Sequence, residues 1–211
     1  MKCSLSLVVV ALLATLTTAF GQTSTPAHPL VILIGPPLSG KTTFIASMAK
    51  TYGIPAVSIE DLITDNAGEL DKLRPQGTSL AEMRYDPAMS RLFQARVKSM
   101  DLSHGLLVDG YPATVLQGQD LAKMIPDLKL QPLVLQLEVP DDVVRARAKK
   151  SGRESDNPAI IEQRLKDYHR EFDFASSFFP NSKIVKVDAN QPEDKTWKAI
   201  QSALDQAGIK P

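Results

Sequence analysis

The eight residues 35–42, GPPLSGKT, constrain the fold of this chain more than any other stretch. They fit the pattern G-x-x-x-x-G-K-[ST], in which a glycine loop wraps around phosphate groups. The apolar run at 30–34, LVILI, precedes them as a buried parallel strand would, and residues 43–50 follow with apolar side chains at helical spacing. A surface turn with two chance glycines is the alternative, but the order of strand, loop and helix favours phosphate binding.

The residue types of this loop match the chemistry of a phosphate site. Gly35 and Gly40 permit backbone angles that a Cβ atom would block, so the loop can turn its N–H groups towards phosphate oxygens. The positive N-terminal end of the next helix adds to that attraction. Lys41 is predicted to reach the β and γ phosphates, and the Thr42 hydroxyl is predicted to bind Mg²⁺. The predicted nucleotide-binding residues of the loop are Gly35, Leu38, Ser39, Gly40, Lys41, Thr42 and Thr43.

A second predicted metal ligand ends a short apolar run at 105–109, GLLVD. An acid at the carboxyl end of a parallel strand, next to a phosphate loop, can hold Mg²⁺ or its water shell. The dipeptide Asp-Gly is also common in simple turns. Beside the loop at 35–42, we favour the metal role for Asp109.

The N-terminus has the composition of a secretory signal. Lys2 precedes an uncharged apolar run at 5–20, and small residues precede a cleavage point after Gly21. An uncleaved anchor and a buried helix are the alternatives, but the run is shorter than the roughly 20 residues that span a bilayer. Cys3, the only cysteine, lies inside this segment. The sequence predicts Sec-type export to a periplasm or the medium, without stable membrane association after cleavage, and a linker at 22–29.

The remaining chain, 30–211, is predicted to form one domain. Of 211 residues, 24 are basic and 24 acidic, so the basic excess typical of nucleic-acid binders is absent. Strands alternate with helices, which predicts an α/β three-layer P-loop fold: a five-stranded parallel sheet with helices on both faces. The periodicity is weak at 58–87, where we expect a small helical insert, and 151–157 reads as a short polar lid loop. We expect a monomer.

Three blocks in this order carry a resemblance to a known family. They are the loop at 35–43, the DGYP block at 109–112, and SGRESDN at 151–157 followed by QRLKDY at 163–168. Together they resemble adenylate kinases, and more broadly nucleoside monophosphate kinases, in their short-lid form. The resemblance covers about residues 30–207 and is far more specific than the loop alone.

The resemblance implies a donor, a metal and a set of site residues. ATP would be the phosphoryl donor with Mg²⁺, and nucleotides would be the partners. Lys41 would hold the donor phosphates and Arg147 would contact the donor nucleotide. Arg153 and Arg164 would neutralise the transferring phosphoryl group. On the acceptor side, the resemblance implies Ser58 and Gln117, with Gln117 reading the acceptor base.

The sequence departs from the family mainly on the acceptor side. Ala113 and Thr64 stand where the family has arginines that grip the acceptor's α-phosphate. The family's S-T-G-D reads Ser-Ile-Glu-Asp here, which puts Glu60 at the glycine position. On the donor side the change is milder, since Leu38 replaces a glycine. A charge-assisted bond to phosphate contributes roughly 1.5–3 kcal/mol, so two missing arginines would weaken acceptor capture by a hundredfold or more.

Three functions remain open at this stage. We favour a phosphotransferase that uses ATP and Mg²⁺ to phosphorylate a nucleoside monophosphate or a related acceptor. The absent arginines and the signal also allow an exported nucleotide-binding protein without turnover. A kinase-like enzyme with a non-nucleotide acceptor, bound by the altered 58–87 region, is the third hypothesis.

Overall fold

The computed structural model describes residues 27–153, 156–178 and 183–211. The predicted signal at 1–21 and most of the predicted linker lie outside the described residues. Residues 154 and 155 of the predicted lid lie outside them too.

The centre of the fold is a parallel sheet in the order β2-β3-β1-β4-β5. This confirms the predicted α/β class and the predicted five strands. In an order of this kind β1 lies between β3 and β4, so the connections after β1 leave a crevice at the carboxyl ends of these strands. The strands are β1 (His28–Ile34), β2 (Ala56–Ser58), β3 (Leu106–Asp109), β4 (Leu130–Glu138) and β5 (Lys183–Asp188).

Helices connect every pair of consecutive strands. Residues 58–87 form short helical pieces, as the weak periodicity of that region predicts. The helices are α1 (Lys41–Tyr52), α2 (Ile59–Asp65), α3 (Ala67–Leu73), a 3₁₀ helix (Leu80–Tyr85), α4 (Ala88–Lys98), α5 (Val115–Leu128), α6 (Asp141–Ser151), α7 (Pro158–Phe178) and α8 (Glu193–Gln206). Within the described residues, no helix combines the length and the apolar character needed to span a bilayer.

The two faces of the sheet carry separate cores because successive strand residues point to opposite sides. In β1, Val31 and Leu33 pack with apolar residues of α1, α6, α7 and α8. Leu30 and Ile32 pack on the other face with residues of α2, α3, α4 and α5. All four side chains are buried. The continuous apolar run at 30–34 is therefore explained by burial on both faces.

Two strands begin earlier than the sequence pattern predicts. β1 starts at His28, inside the predicted linker, because its N–H donates to Lys129 O at 2.9 Å and the strand pairs with β4 from that point. β4 starts at Leu130 and runs through Pro132, whereas the sequence pattern predicts a strand from Leu133 to Val139 that Pro132 introduces. Among the described residues, the pairing of β4 with β5 begins at Leu133, beyond Pro132, and proline is tolerated where a strand has no partner on one side.

Candidate active site

The glycine loop between β1 and α1 has the shape that its sequence predicts. A Cβ atom at Gly35 would lie 2.8 Å from Ser39 Oγ and 2.9 Å from Leu137 Cβ, which leaves no room for a side chain. Gly40 adopts a φ of 91°, and Leu38 adopts a φ of 59°. The left-handed angle at Leu38 explains why the family has glycine at that position, since a side chain there is strained.

Lys41 is held inside the loop that precedes it. Its Nζ donates to Gly35 O at 2.7 Å and to Pro36 O at 3.1 Å. Burial lowers the pKa of this ammonium, while the negative charges of Asp109 and Glu60 raise it. The ammonium therefore lies at the base of the crevice, where phosphate oxygens can replace the two carbonyls as its acceptors.

The two predicted metal ligands, Thr42 and Asp109, line the same cavity of about 340 Å³. Asp109 is 4% exposed, and burial raises the pKa of its carboxyl to about 6. Its Oδ1 has no hydrogen-bond partner among the described residues. A buried carboxylate oxygen without a partner, on a residue that lines the same cavity as a hydroxyl, fits a hard cation such as Mg²⁺.

Within the described residues, no three His, Cys, Asp or Glu side chains gather as a metal cluster.

Arg153 and Arg164, the two predicted transfer arginines, converge on one acid. Asp156, whose side chain is 1% exposed, accepts from Arg153 Nε at 2.8 Å and lies 3.6 Å from Arg164 Nη1. A hydrogen bond from Ser151 is the largest cause that lowers the pKa of the Asp156 carboxyl, and Arg153 lowers it further. Both arginines line the cavity that holds Lys41, Thr42 and Asp109.

Arg147 lies on the donor side and braces the loop. Its Nη1 donates to Leu38 O and its Nη2 to Ala189 O, each at 2.9 Å. It also lines a cavity of about 210 Å³ beside the phosphate loop, together with Thr43 and Gln191. The structure thus brings Arg147 to the predicted donor region, where two of its donor groups hold backbone carbonyls.

The two predicted acceptor residues are engaged within the protein. Ser58 caps α2, accepting from Asp61 N at 3.5 Å. Gln117 is 1% exposed. Its Oε1 accepts from Ala113 N and its Nε2 donates to Arg84 O, each at 2.7 Å. Their roles in acceptor binding stay predictions.

Sequence reasoning gave no role to Glu60 or Arg84, although both line the crevice. They share a cavity with Lys41, Asp109 and Arg164. Glu60 was visible as a departure from the family's glycine. Arg84 lies in the 3₁₀ helix, where no periodic pattern or motif marked it. The position of Arg84 in the crevice becomes apparent only in the folded structure, where the 3₁₀ helix lies against the end of β3.

The crevice can therefore stabilise a highly charged phosphoryl group. Lys41, Arg153 and Arg164 surround the space beside the glycine loop, and Asp109 lies at its floor. Phosphoryl transfer requires little covalent help from a protein, because positioning and positive charge around the equatorial oxygens do most of the catalysis. No general base is required when the attacking group is itself a phosphate.

Comparisons with known proteins agree with this arrangement. The model of the adenylate kinase family matches residues 33–184. The chain is 32% identical to an adenylate kinase of Xanthomonas campestris pv. campestris over 187 residues, which cover 82% of this chain and 98% of the relative. It is 30% identical to an adenylate kinase of Cyanothece sp. over 186 residues, covering 83% and 95% of the two chains. With most of its length matched in this way, the chain belongs to the adenylate kinase family.

Proposed function

We propose that this protein transfers the γ-phosphoryl group of ATP to a nucleoside monophosphate, with AMP as the first acceptor to test. The observation that carries the proposal is the gathering of Lys41, Arg153, Arg164 and Asp109 around one cavity beside the glycine loop. Family membership supports the reaction type, because adenylate kinases use ATP and Mg²⁺.

In the proposed reaction, an oxygen of the acceptor phosphate attacks the γ-phosphorus while the bond to the β–γ bridging oxygen breaks. ADP leaves with that electron pair, and the acceptor becomes a diphosphate. Lys41 and the loop N–H groups hold the donor phosphates. Arg153 and Arg164 move from Asp156 to the equatorial oxygens of the transferring group, where their charge counts most. Closure of the lid excludes water, which would otherwise hydrolyse the donor.

Thr42 and Asp109 are the residues that would hold Mg²⁺. When bound, the ion would neutralise part of the charge on the β and γ phosphates. The unpartnered Asp109 oxygen and the neighbouring Thr42 hydroxyl support this assignment.

We also propose that residues 1–21 act as a cleaved Sec-type signal and that the exported protein is a monomer. The uncharged apolar run and the small residues before 22 support the signal. Mass spectrometry of the exported protein would give an N-terminus at Gln22. An N-terminus at Met1 on membrane-bound protein would contradict cleavage.

The test of the proposed reaction is the formation of ADP from ATP, Mg²⁺ and AMP by the purified chain. Lys41→Ala is expected to lower kcat by about a hundredfold or more, because it removes a charge placed at the transferring phosphoryl group. Lys50→Ala is the matched control, since Lys50 lies exposed at the far end of the same helix.

Equilibrium binding of ATP, measured by calorimetry, separates the remaining outcomes. If the unmodified protein binds ATP but forms no phosphorylated product with any nucleoside monophosphate, the proposed reaction is wrong and a binding role is favoured. If small hydroxyl compounds are phosphorylated in place of AMP, the acceptor assignment is wrong while the donor half stands.

A further inference from the structure

We infer that Arg84 supplies the cation that captures the acceptor phosphate, in place of the arginines that are absent at positions 64 and 113. This inference rests on the proposed function and names a residue for its acceptor site. It also assigns Gln117 as the residue that positions Arg84, rather than as a reader of the acceptor base.

The first observation is where the Arg84 guanidinium lies. The 3₁₀ helix Leu80–Tyr85 packs its C-terminal end against the end of β3, and Arg84 Nη2 lies 3.2 Å from the point where a Cβ of Gly110 would stand. Arg84 lines a cavity of about 70 Å³ together with Lys41 and Arg164. That volume is below the roughly 300 Å³ of sites that enclose a whole small molecule, so the cavity suits a phosphate group.

The second observation is how Arg84 is held. The amide of Gln117 joins Arg84 O to Ala113 N through two hydrogen bonds of 2.7 Å each. Ala113 occupies one of the two positions where the family has its phosphate-binding arginine. The bridge therefore fixes the backbone of Arg84 against the chain segment that lost the arginine. A buried amide that uses its oxygen and nitrogen in this way is suited to positioning.

The third observation is an acidic partner of Arg84 in the crevice. Glu60 Oε1 lies 3.9 Å from Arg84 Nη1, and the Glu60 side chain is 62% exposed. An exposed carboxylate beside an arginine can be replaced by a phosphate, which carries more charge and more acceptor oxygens. In this inference the Glu60 carboxylate lies where the acceptor phosphate would bind and competes with that phosphate for Arg84.

The principal experiment compares Arg84→Gln with the unmodified full-length chain in steady-state assays with ATP and AMP. We expect the KM for AMP to rise at least about tenfold, because a charge-assisted bond to phosphate is lost. The KM for ATP is expected to stay within about twofold. Arg91→Gln, at an exposed arginine on α4, is the matched control and is expected to change neither constant.

A rescue variant separates a charge role from a structural one. Thr64 is exposed on α2, at the position where the family has its other arginine. In the Arg84→Gln background, Thr64→Arg is expected to recover at least a third of the lost affinity for AMP. A purely structural defect at Arg84 would not be repaired by a cation from α2. In the unmodified background, Glu60→Gln is expected to lower the KM for AMP.

Gln117→Met separates positioning from base reading. If Gln117 positions Arg84, the KM values for AMP, CMP and UMP rise by a similar factor. If Gln117 reads adenine, the KM for AMP rises and the KM values for CMP and UMP stay unchanged, which contradicts the assignment. Thermal unfolding of the variant checks that the protein is folded in either case.

Equilibrium binding of AMP keeps this inference distinct from the proposed reaction. One outcome is that AMP binds but no ADP forms, and that Arg84→Gln weakens AMP binding at least about tenfold. The proposed reaction is then wrong, while the role of Arg84 in binding the acceptor phosphate is supported. If AMP and ATP constants change together, or AMP binding is unaffected by Arg84→Gln, the inference is overturned. An unmodified protein that binds no AMP overturns it as well.

Discussion

At the scale of single residues, Asp109 is a buried acid whose charged form is disfavoured by its surroundings. Burial raises the pKa of its carboxyl from 3.8 to about 6. Relative to the protonated carboxyl, the charged carboxylate is therefore less stable in the folded state than in the unfolded chain. Residues kept under such a penalty are typical of functional sites, where a ligand or metal ion relieves it. In Asp109 the unpartnered Oδ1 is the atom that a cation would satisfy.

Asp109→Asn is expected to raise the free energy of unfolding by up to about 3 kcal/mol at pH 8 in buffer without Mg²⁺ or nucleotide, since one pKa unit corresponds to about 1.4 kcal/mol. Because the folded pKa exceeds the unfolded one, the unmodified protein loses stability as pH rises from about 4 to about 6. The asparagine variant lacks that loss.

Denaturant unfolding of both proteins at several pH values checks this prediction. The two curves of stability against pH are expected to meet near pH 4 and to separate above pH 6. The variant is also expected to lose the stabilisation that Mg²⁺ and ATP give the unmodified protein. Equal stability at pH 8 would contradict the burial argument.

At the scale of elements, Asp156, in the turn between α6 and α7, holds the two arginines that the proposed reaction places at the transferring group. Asp156 binds Arg153 directly and lies near Arg164, while Ser151 donates to the same carboxylate at 2.7 Å. α6 and α7 are also joined on their exposed side by Arg145 and Glu162, with distances of 2.6 and 3.0 Å. These contacts fix Arg153 and Asp156 relative to both helices.

Asp156→Asn is expected to lower kcat by about tenfold and to lower the free energy of unfolding by about 1–3 kcal/mol. The carboxylate is buried and accepts charged hydrogen bonds, so its loss leaves weaker anchoring of both arginines. Assays in the forward direction with saturating ATP and AMP would measure the effect. Asp127→Asn, at an exposed acid on α5, is the control. An unchanged kcat would mean that substrate alone orders the arginines.

At the scale of the whole molecule, three distant parts of the chain meet behind the glycine loop. Arg147 of α6 bonds to Leu38 O in the loop and to Ala189 O after β5. These contacts join the carboxyl ends of β1 and β5 across the sheet. They also hold the loop at Leu38, whose positive φ is unfavourable for a side chain. Donor binding thus depends on packing of the complete sheet.

Arg147→Gln is expected to raise the KM for ATP by about tenfold and to lower Tm, because the two carbonyl partners lose charged hydrogen bonds. The KM for AMP should change little. Arg145→Gln is a close control on the same helix, since its exposed ion pair with Glu162 is worth at most about 1 kcal/mol. An unchanged KM for ATP in Arg147→Gln would contradict a role for Arg147 in holding the loop at Leu38.

Much of the fold was predictable because its signals are local, and the candidate donor residues were chosen from local signals as well. Each of the main signals depends on a single short segment: the apolar run at 30–34, the glycine spacing at 35–42 and the acid at 109. The acceptor site was less accessible. Arg84 lies in a region without a periodic pattern. For Gln117, the family resemblance predicts a contact with the acceptor base, and the structure adds that its amide bonds to two backbone groups.

The sequence by itself determined the α/β class, the glycine loop and the family, since period, glycine placement and motif spacing are properties of neighbouring residues. Only the tertiary structure decided which charges meet in the crevice. Asp156 and Arg164 lie 3.6 Å apart, and Glu60 and Arg84 lie 3.9 Å apart across the insert. Such pairs depend on how helices pack against the sheet, and the energy of each pair depends on the distance that this packing sets, so no local pattern records them.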